Sequence, residues 1–312
     1  MATIIDRRQF IRATAAGILA AAAPELLTGC GANGTSGSGG NGARGTVTVG
    51  SKSFTESEIL AEVYALVLEN AGFTVKRSMD IANSVVHTAI VNGDIDLYPG
   101  YTGTALISVL KLPTESDPKK VYKTVKRAYK KKFKLEWLDM TAANDGQGLA
   151  ITTKAAKKYG IKTISDLQAH ASEIRFTSGP EFDTREDCLP ALQAAYGEFN
   201  WASHDVTDDS LKYSILSANK ADVTSVATTE GQLADTKTYA LLEDDKHVWP
   251  PYNVAPIVRA DVLKKYPDIA TVLNRLGKTL DTKTLTKLNA KVDVDKQDYE
   301  DVAEDYVDSL DD

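Results

Sequence analysis

Residues 46–104 read TVTVGSKSFTESEILAEVYALVLENAGFTVKRSMDIANSVVHTAIVNGDIDLYPGYTGT, and this stretch decides the fold. A short β-branched run at 46–49 precedes apolar residues at helical spacing from Ile59 to Val67, and Gly72 ends the helix. A strand around Val75, a helix over 85–91 and a strand over 95–98 follow. The order βαβαβ predicts a parallel sheet flanked by helices.

The start of the first helix carries a local signal of its own. Residues 55–58 read Thr-Glu-Ser-Glu, and Ser or Thr followed three residues later by Glu is the pattern of a capping box. We therefore expect Thr55 to cap this helix and Glu58 to return the hydrogen bond.

A second series of strands and helices begins near Leu149. The sequence predicts strands over 174–177, 223–226, 239–242 and 254–259, and helices over 188–196, 210–217 and from Asp261 onward, interrupted at Pro267. The two series join near 145–152 and again near 249–254, which predicts two lobes with two crossings. Lobe 1 would comprise 46–145 plus 250–312, and lobe 2 would comprise 146–249. Ligands favour the cleft between such lobes, and hinge closure is the expected motion.

The first 29 residues are typical of a signal peptide. A charged start with Arg7 and Arg8 precedes an apolar, Ala-rich run that is too short to span a bilayer, and small residues follow. The arginine pair resembles a twin-arginine export signal, with ordinary positive charge as the alternative. Residues 27–30, Leu-Thr-Gly-Cys, resemble a bacterial lipobox, in which Cys30 becomes the lipidated first residue.

The segment after Cys30 is typical of a flexible tether. Residues 31–45 are almost wholly Gly, Ser, Asn, Ala and Thr, and random-coil scaling gives them a reach of about 20 Å. We therefore expect an extracytoplasmic globular protein, anchored to the cell membrane by lipid. No later stretch is long and apolar enough to cross a bilayer, so solute transport would need a membrane partner.

The charge of the chain argues against nucleic acid as a partner. The formal net charge is −7, and phosphate binding favours a basic surface. Lysines 119, 123 and 130–132 follow helical spacing, which we interpret as a solvated helix face, with a binding stripe as the alternative.

The sequence gives little support to an enzyme. Once Cys30 carries lipid, Cys188 has no disulfide partner, and we interpret it as structural. Asp94 and Asp96 could form a carboxylate pair on one face of a strand, although acidic turns at strand ends are commoner. We find no phosphate loop, no zinc spacing and no defensible Ser-His-Asp arrangement.

Five blocks of sequence resemble one protein family. Residues 49–56, Val-Gly-Ser-Lys-Ser-Phe-Thr-Glu, resemble the start of the glycine betaine/carnitine/choline-binding receptors of ABC importers. Further similar blocks, in the family's order, are 93–104, 185–187, 228–231 and 250–252. The resemblance implies an α/β, two-lobed periplasmic-binding-protein fold with an inter-lobe ligand cleft. It also implies delivery of an osmoprotectant to a permease with a cytoplasmic ATPase, without metal or cofactor.

The resemblance also implies a site for the ligand's carboxylate. In the family, the positions that match Lys52, Thr104 and Arg185 contact this group. Lys52 and Arg185 would come from different lobes, so a bound anion would bridge them and favour closure. By the residues alone, we interpret Lys52 as a surface lysine and Arg185 as a partner of Asp183, Glu186 or Asp187.

The family binds the ligand's cation in a box of four tyrosines, with an acidic residue nearby in some members. Tyr101 and Tyr252 match two box positions, and Asp145 matches the acidic one. Tyr98 could add a contact, although strand alternation places it equally well in the core.

Three positions depart from the family pattern. Gln147 and Ala227 stand where the other two aromatic residues are expected, and Gly100 replaces the usual Glu before Tyr101. Losing two aromatic faces would weaken betaine binding by about one to three powers of ten. Either neighbouring residues complete the box, or the ligand is larger or more polar than glycine betaine, which Gln147 and Asn144 would suit. A receptor for another polar solute, or a ligand-sensing module for a membrane sensor, is the alternative function.

Overall fold

The protein is described here by a computed structural model covering residues 44–310. The predicted signal peptide, Cys30 and the tether as far as residue 43 lie outside the described residues. The described residues fall in one compact unit and form two five-stranded sheets.

The first sheet has the strand order β2-β1-β3-β10-β4. Its strands are β1 Thr46–Lys52, β2 Thr74–Ile81, β3 Leu97–Tyr101, β4 Leu135–Trp137 and β10 Val254–Arg259. Strand β1 is parallel to β2 and β3, as the βαβαβ pattern predicts, whereas β10 is antiparallel to both β3 and β4. The sheet is therefore mixed, because its fourth strand comes from the far end of the chain.

The second sheet has the order β7-β6-β8-β5-β9. Its strands are β5 Gln147–Thr152, β6 Arg175–Ser178, β7 Ser203–Val206, β8 Val223–Ala227 and β9 Tyr239–Leu241. Strand β6 is parallel to β7 and β8, and β5 is antiparallel to β8 and β9. The central strand, β8, is buried at four of its five positions.

The two-lobed α/β fold is confirmed by this arrangement. All strands of the second sheet lie between residues 147 and 241, and those of the first sheet lie on both sides of that interval. The chain thus passes twice between the sheets, and the two passing segments pair with each other at Asn144 and Asn253. The lobe boundaries at 145/146 and 249/250 stay a prediction.

Helices cover both sheets. They are α1 Thr55–Asn70, α2 Val86–Asn92, α3 Thr102–Thr104, α4 Pro118–Phe133, α5 Thr153–Tyr159, α6 Ile164–Ala169, α7 Pro180–Thr184, α8 Leu189–Tyr196, α9 Lys212–Ser217, α10 Ala260–Lys265, α11 Asp268–Gly277, α12 Thr282–Asp293 and α13 Tyr299–Asp308. A π-helix, Ala105–Val109, continues α3, and short 3-10 helices are Ala171–Glu173, Asp209–Leu211 and Gly231–Ala234. Across residues 44–310, none of the helices is long and apolar enough to cross a membrane.

The predicted capping box is wrong. Helix α1 begins with Thr55 as its first helical residue, and Phe54 occupies the cap position without a side-chain hydrogen bond. The Thr55 hydroxyl instead donates to Asp293 Oδ1 at 2.7 Å, a contact with the end of α12. Thr55 therefore hydrogen-bonds to a residue that is distant in the sequence instead of capping its own helix.

The predicted third strand is displaced by two residues. Strand β3 begins at Leu97, so Asp94 and Asp96 precede it and do not form a pair within a strand. The Asp96 carboxylate accepts a hydrogen bond from the Thr48 amide at 2.8 Å, which joins the entry of β3 to β1. Asp96 thus has a structural role.

Candidate functional site

A cavity of about 480 Å³ opens between the two sheets, at the ends of β1 and β3. The last residues of both strands, Lys52 and Tyr101, line it. They lie together because β1 and β3 are parallel neighbours that end at the same edge of the sheet. Eight predicted site residues line it: Lys52, Tyr101, Thr104, Asp145, Gln147, Arg185, Ala227 and Tyr252. The fold therefore gathers residues that span 200 positions in the sequence.

Lys52 is a buried cation at this cavity. It is the last residue of β1, and its ammonium lies 4.6 Å from the centre of the Tyr101 ring. Burial lowers the pKa of Lys52 to about 8, and the charges of Asp145 and Glu56 oppose that shift. A desolvated ammonium over an aromatic face is stabilised by the ring quadrupole and can turn toward an anion.

Glu56 is a functional candidate that the sequence reasoning did not single out. Its carboxyl group is buried and accepts hydrogen bonds from the Tyr101 hydroxyl at 2.9 Å and from Asn289 Nδ2 at 3.0 Å. Burial, aided by the charge of Asp145, raises the pKa of Glu56 to about 8. Its side chain fixes the hydroxyl of Tyr101 and so the orientation of the ring.

Asp145 lies where the chain first passes between the sheets. It accepts a hydrogen bond from the Thr229 hydroxyl at 2.8 Å. Burial raises the pKa of Asp145 to about 6, and the Thr229 hydrogen bond lowers it in part. Asp145 therefore supplies a carboxylate to the cavity wall that is ionised near neutral pH.

Arg185 and Tyr252 meet at one residue, Asp187. The guanidinium group donates to both carboxylate oxygens of Asp187, at 3.1 and 2.6 Å, and 43% of the Arg185 side chain remains exposed. The Tyr252 hydroxyl donates to the same carboxylate at 3.3 Å. The structure thus shows the ion-pair alternative for Arg185, in a position that also lines the cavity.

Gln147 and Ala227 face the cavity as a pair. They are direct partners across the β5–β8 ladder, so their side chains stand together on one face. The wall contributed by the second sheet is consequently one amide and one methyl group at the positions where the resemblance predicts aromatic residues.

Tyr98 and Gly100 belong to the other face of β3. Tyr98 is buried with Trp137 and Ile257 and does not line the large cavity, although it borders a void of about 30 Å³ beside Lys52. A side chain at Gly100 would collide with Ile257 and come within 3.1 Å of Trp137. The core packing of the first sheet therefore excludes a larger residue at position 100.

Phe54 is a further aromatic residue at the cavity that the sequence reasoning missed. Its ring centre lies 5.8 Å from that of Tyr101. Asn83, Ser84 and Ser108 add polar groups to the same wall. The signal for Phe54 was present, because it sits within the block 49–56, two residues after Lys52.

Cys188 has the environment of a structural residue. It is buried within the second hydrophobic core, and burial raises the pKa of its thiol to about 12. A thiol that remains protonated is a poor nucleophile.

The sequence profile of one protein family, described as the substrate binding domain of ABC-type glycine betaine transport systems, matches residues 45–309. The chain belongs to this family. Its members are solute-binding proteins of transporters, in general non-catalytic, that act outside the cytoplasm and work with permeases. The resemblance, the fold class and the substrate-binding role are thereby confirmed.

Two relatives of this chain are named for different ligands. The chain is 34% identical over 266 residues to the ergothioneine transport permease/ergothioneine binding protein EgtU of Helicobacter pylori, with 85% of this chain covered and 47% of that protein. It thus spans about half of that relative's length. It is 32% identical over 273 residues to a glycine-betaine-binding protein of Pseudomonas aeruginosa, covering 84% of this chain and 87% of that one.

Solved structures agree with the fold. A crystal structure of a glycine betaine/carnitine/choline ABC transporter superposes with a TM-score of 0.80 at 27% identity, covering 84% of this chain and 98% of that one. Apo YehZ from Escherichia coli gives a TM-score of 0.74 at 30% identity, covering 85% and 98% of the two chains.

Proposed function

We propose that this family member captures a trimethylammonium carboxylate outside the cytoplasm and delivers it to a permease powered by a cytoplasmic ATPase. The observation that carries the proposal is the cavity between the sheets, which is lined by three aromatic rings and by two cations from different predicted lobes, Lys52 and Arg185. Such a ligand needs fixed donors at one end and aromatic faces at the other.

Each end of the ligand has its own group of residues in this proposal. Lys52, Thr104 and Arg185 bind the carboxylate. Tyr101, Tyr252 and Asp145, with Phe54 added from the geometry, bind the cation. Because Lys52 and Arg185 come from different predicted lobes, binding closes lobe 1, 46–145 plus 250–312, on lobe 2, 146–249.

The wall formed by Gln147 and Ala227 favours a ligand larger and more polar than glycine betaine. Ergothioneine, carnitine and glycine betaine are all trimethylammonium carboxylates, and they differ in the size and polarity of the remainder. A methyl group leaves room, and an amide both donates and accepts hydrogen bonds. The cavity of about 480 Å³ lies within the range of roughly 300–1,000 Å³ that is usual for small-molecule sites.

A ligand panel tests this assignment. Melting temperature and calorimetry should be measured with glycine betaine, choline, carnitine, proline betaine, ergothioneine, ectoine and simple amino acids, because a ligand of the folded state raises its stability. We expect carnitine or ergothioneine to bind most tightly. Tyr252→Leu should weaken every cationic ligand, whereas Tyr306→Leu on α13, outside the cavity, should not. Stabilisation only by uncharged or purely anionic solutes would refute the cation site.

We also propose that the chain is exported, by the twin-arginine route if Arg7 and Arg8 are read, and is anchored through lipid on Cys30. The support is the signal-peptide pattern and the lipobox of residues 27–30. Cys30→Ala should move the protein from the membrane fraction to the soluble fraction with an unchanged melting temperature. Replacement of Arg7 and Arg8 by lysine should reduce export if the route is twin-arginine.

Ligand sensing is the second candidate function. It is favoured by a 26% identical relative over 266 residues, the chemotactic signal transduction system substrate-binding protein CosB of Halobacterium salinarum. Uptake of labelled ligand by cells with and without this protein separates the two. Transport predicts loss of uptake on deletion, and sensing predicts unchanged uptake with a lost behavioural response.

A further inference from the structure

Helix α4 is a concentrated cationic surface on an anionic chain. Pro118–Phe133 contains seven lysines, one arginine and no acidic residue, while the formal net charge of the whole chain is −7. Only Val121, Val125 and Tyr129 are buried, and these pack the helix onto the first sheet. The charges lie on the remaining, solvent-facing side.

The spacing of these charges works against the helix. Lys119, Lys123, Arg127 and Lys131 follow one another at i, i+4, and like charges at that spacing destabilise a helix. Within residues 44–310, Lys123, Arg127 and Lys131 have no carboxylate within 4.0 Å, whereas Lys120 and Lys130 pair with Glu115 and Glu136. Repulsion between like charges that no carboxylate of the fold offsets is expected at functional surfaces.

The C-terminal end of α4 lies at the end of the first sheet opposite the cavity. Strand β10 pairs Val254 with Tyr101 at the cavity and Arg259 with Leu135 at the other end. Because Leu135 follows α4 almost directly, the lysines at 130–134 lie at that far end. Exposed Lys264 and Lys265 on α10 add to the charge there.

The chain enters the globular part at this same end. Strand β1 runs from Thr46 to Lys52 at the cavity, so Thr46 lies at the far end. Gly45 lies against the Tyr266 ring, at the end of α10, and the first residue of α10 donates to the Lys134 carbonyl at 3.0 Å. The six residues of α10 span only about 9 Å. The predicted tether and the basic end of α4 are therefore neighbours.

Three acidic groups at this end are paired with arginines. Asp96 and Asp261 face Arg259, at 3.8 and 2.6 Å, and Asp268 pairs with Arg44 at 2.6 Å. Asp94 is exposed and has no cation within 4.0 Å among residues 44–310, but the exposed lysines at 131, 132, 134, 264 and 265, which are not ion-paired, outnumber it.

We propose that the cationic face of α4 rests on the anionic phospholipid headgroups of the membrane to which the chain is tethered. This inference rests on the proposed membrane anchoring. A tether with a reach of about 20 Å lets the face reach the headgroups, whose charge acts over about 10 Å at 0.1 M salt, and a basic patch adds a second attachment to a lipid anchor. Delivery to a permease then requires the domain to leave the bilayer surface.

Vesicle binding tests the proposal without the lipid anchor. The probe is residues 30–312 carrying Cys30→Ala, which retains the compact unit of 41–312. We expect it to bind vesicles of phosphatidylcholine with phosphatidylglycerol, not phosphatidylcholine alone, and to lose binding between about 0.05 and about 0.5 M NaCl. The triple variant Lys123→Gln, Arg127→Gln, Lys131→Gln should bind about a hundredfold more weakly, roughly fivefold for each charge. Its melting temperature should stay the same or rise, because repulsion is relieved.

A matched control removes the same charge elsewhere. Lys154, Lys157 and Lys158 are exposed on α5, in the second lobe, and their replacement by Gln should leave vesicle binding unchanged. Equal loss in both variants, retained affinity in the α4 variant, or no binding of the parent at low salt would each overturn the proposal. Reduced uptake by the α4 variant in cells with unchanged vesicle binding would assign the face to an acidic protein partner and overturn the membrane assignment. The proposed lipid anchor is tested separately by membrane fractionation of Cys30→Ala, and the proposed ligand by the ligand panel. The outcome of either test does not depend on vesicle binding.

Discussion

At the scale of single residues, the cavity is built from polar and charged side chains that bind one another. Lys52 and Glu56 share the Tyr101 ring, one over its face and the other at its hydroxyl. Asp187 holds both Arg185 and Tyr252. A ligand with both charges can replace these internal partners, because its carboxylate offers acceptors to the cations and its ammonium takes the aromatic faces.

The residue-scale prediction concerns Arg185. Arg185→Ala should weaken binding of glycine betaine and carnitine by roughly thirtyfold or more, because a charge-assisted contact in the cleft is lost. Choline has no carboxylate, so its affinity should be unchanged or tighter as Asp187 is released. Calorimetry with the three ligands gives the ratio of the choline affinity to the betaine affinity.

The control for Arg185 is another arginine in an Asp pair. Arg175 donates from Nε and Nη2 to Asp222 at 2.8 Å each, away from the cavity. Arg175→Ala should lower the melting temperature and leave the choline to betaine ratio unchanged. A ratio that moves equally in both variants would contradict the carboxylate assignment.

At the scale of elements, short helix α3 shapes the aromatic wall. Its central residue, Gly103, lies against Tyr252, and a Cβ there would be 2.7 Å from Cδ1 of the ring. Gly103→Ala should therefore displace the ring and weaken cationic ligands by roughly threefold to thirtyfold, as expected for an impaired aromatic contact. Calorimetry measures the loss.

Gly277 in α11 provides the matched substitution. A Cβ there would lie 3.5 Å from Thr141 Cγ2, an ordinary contact. Gly277→Ala should leave binding unchanged and raise stability by up to about 1 kcal/mol, because alanine favours the helix. If Gly103→Ala binds as the parent does, Tyr252 is not part of the cation site.

At the scale of the whole molecule, buried Glu56 links stability to pH. Its pKa is about 8 in the folded protein against an ordinary 4.5, so between those values the folded state keeps a proton that the unfolded chain releases. Stability from this group is therefore full below pH 4.5 and is lost as pH rises toward 8, by at most about 1.4 kcal/mol per unit.

Glu56→Gln should remove this dependence. The variant should melt close to the parent near pH 5 and above it near pH 8, as measured by calorimetry across that range. Glu304→Gln, at an exposed position on α13, should show the same dependence of melting temperature on pH as the parent. Parallel curves for Glu56→Gln would mean that Glu56 is ionised in the folded protein at neutral pH. Lys52, with its pKa lowered to about 8, affects the profile above that pH.

Local patterns were sufficient for most elements, and the family resemblance indicated much of the candidate site. The alternation in β1 and the helical period of α1 are properties of neighbouring residues, so both elements could be predicted. The resemblance of block 49–56 placed Lys52 after the first strand, at the cleft, and Lys52 lines the cavity. Tyr101, Thr104, Asp145, Arg185 and Tyr252 were likewise predicted at the cleft and line the cavity.

The sequence by itself determined the βαβαβ order of the first series and the two crossings, because these follow from short-range periodicity, and its family resemblance indicated the positions that reach the cleft. Only the tertiary structure decided that β10 enters the first sheet antiparallel between β3 and β4. It alone decided that Thr55 bonds to Asp293, that Glu56 is buried against Tyr101 and Asn289, and that Arg185 pairs with Asp187. Most of these contacts join residues that are far apart in the chain, and all depend on which groups packing removes from water, which no local pattern encodes.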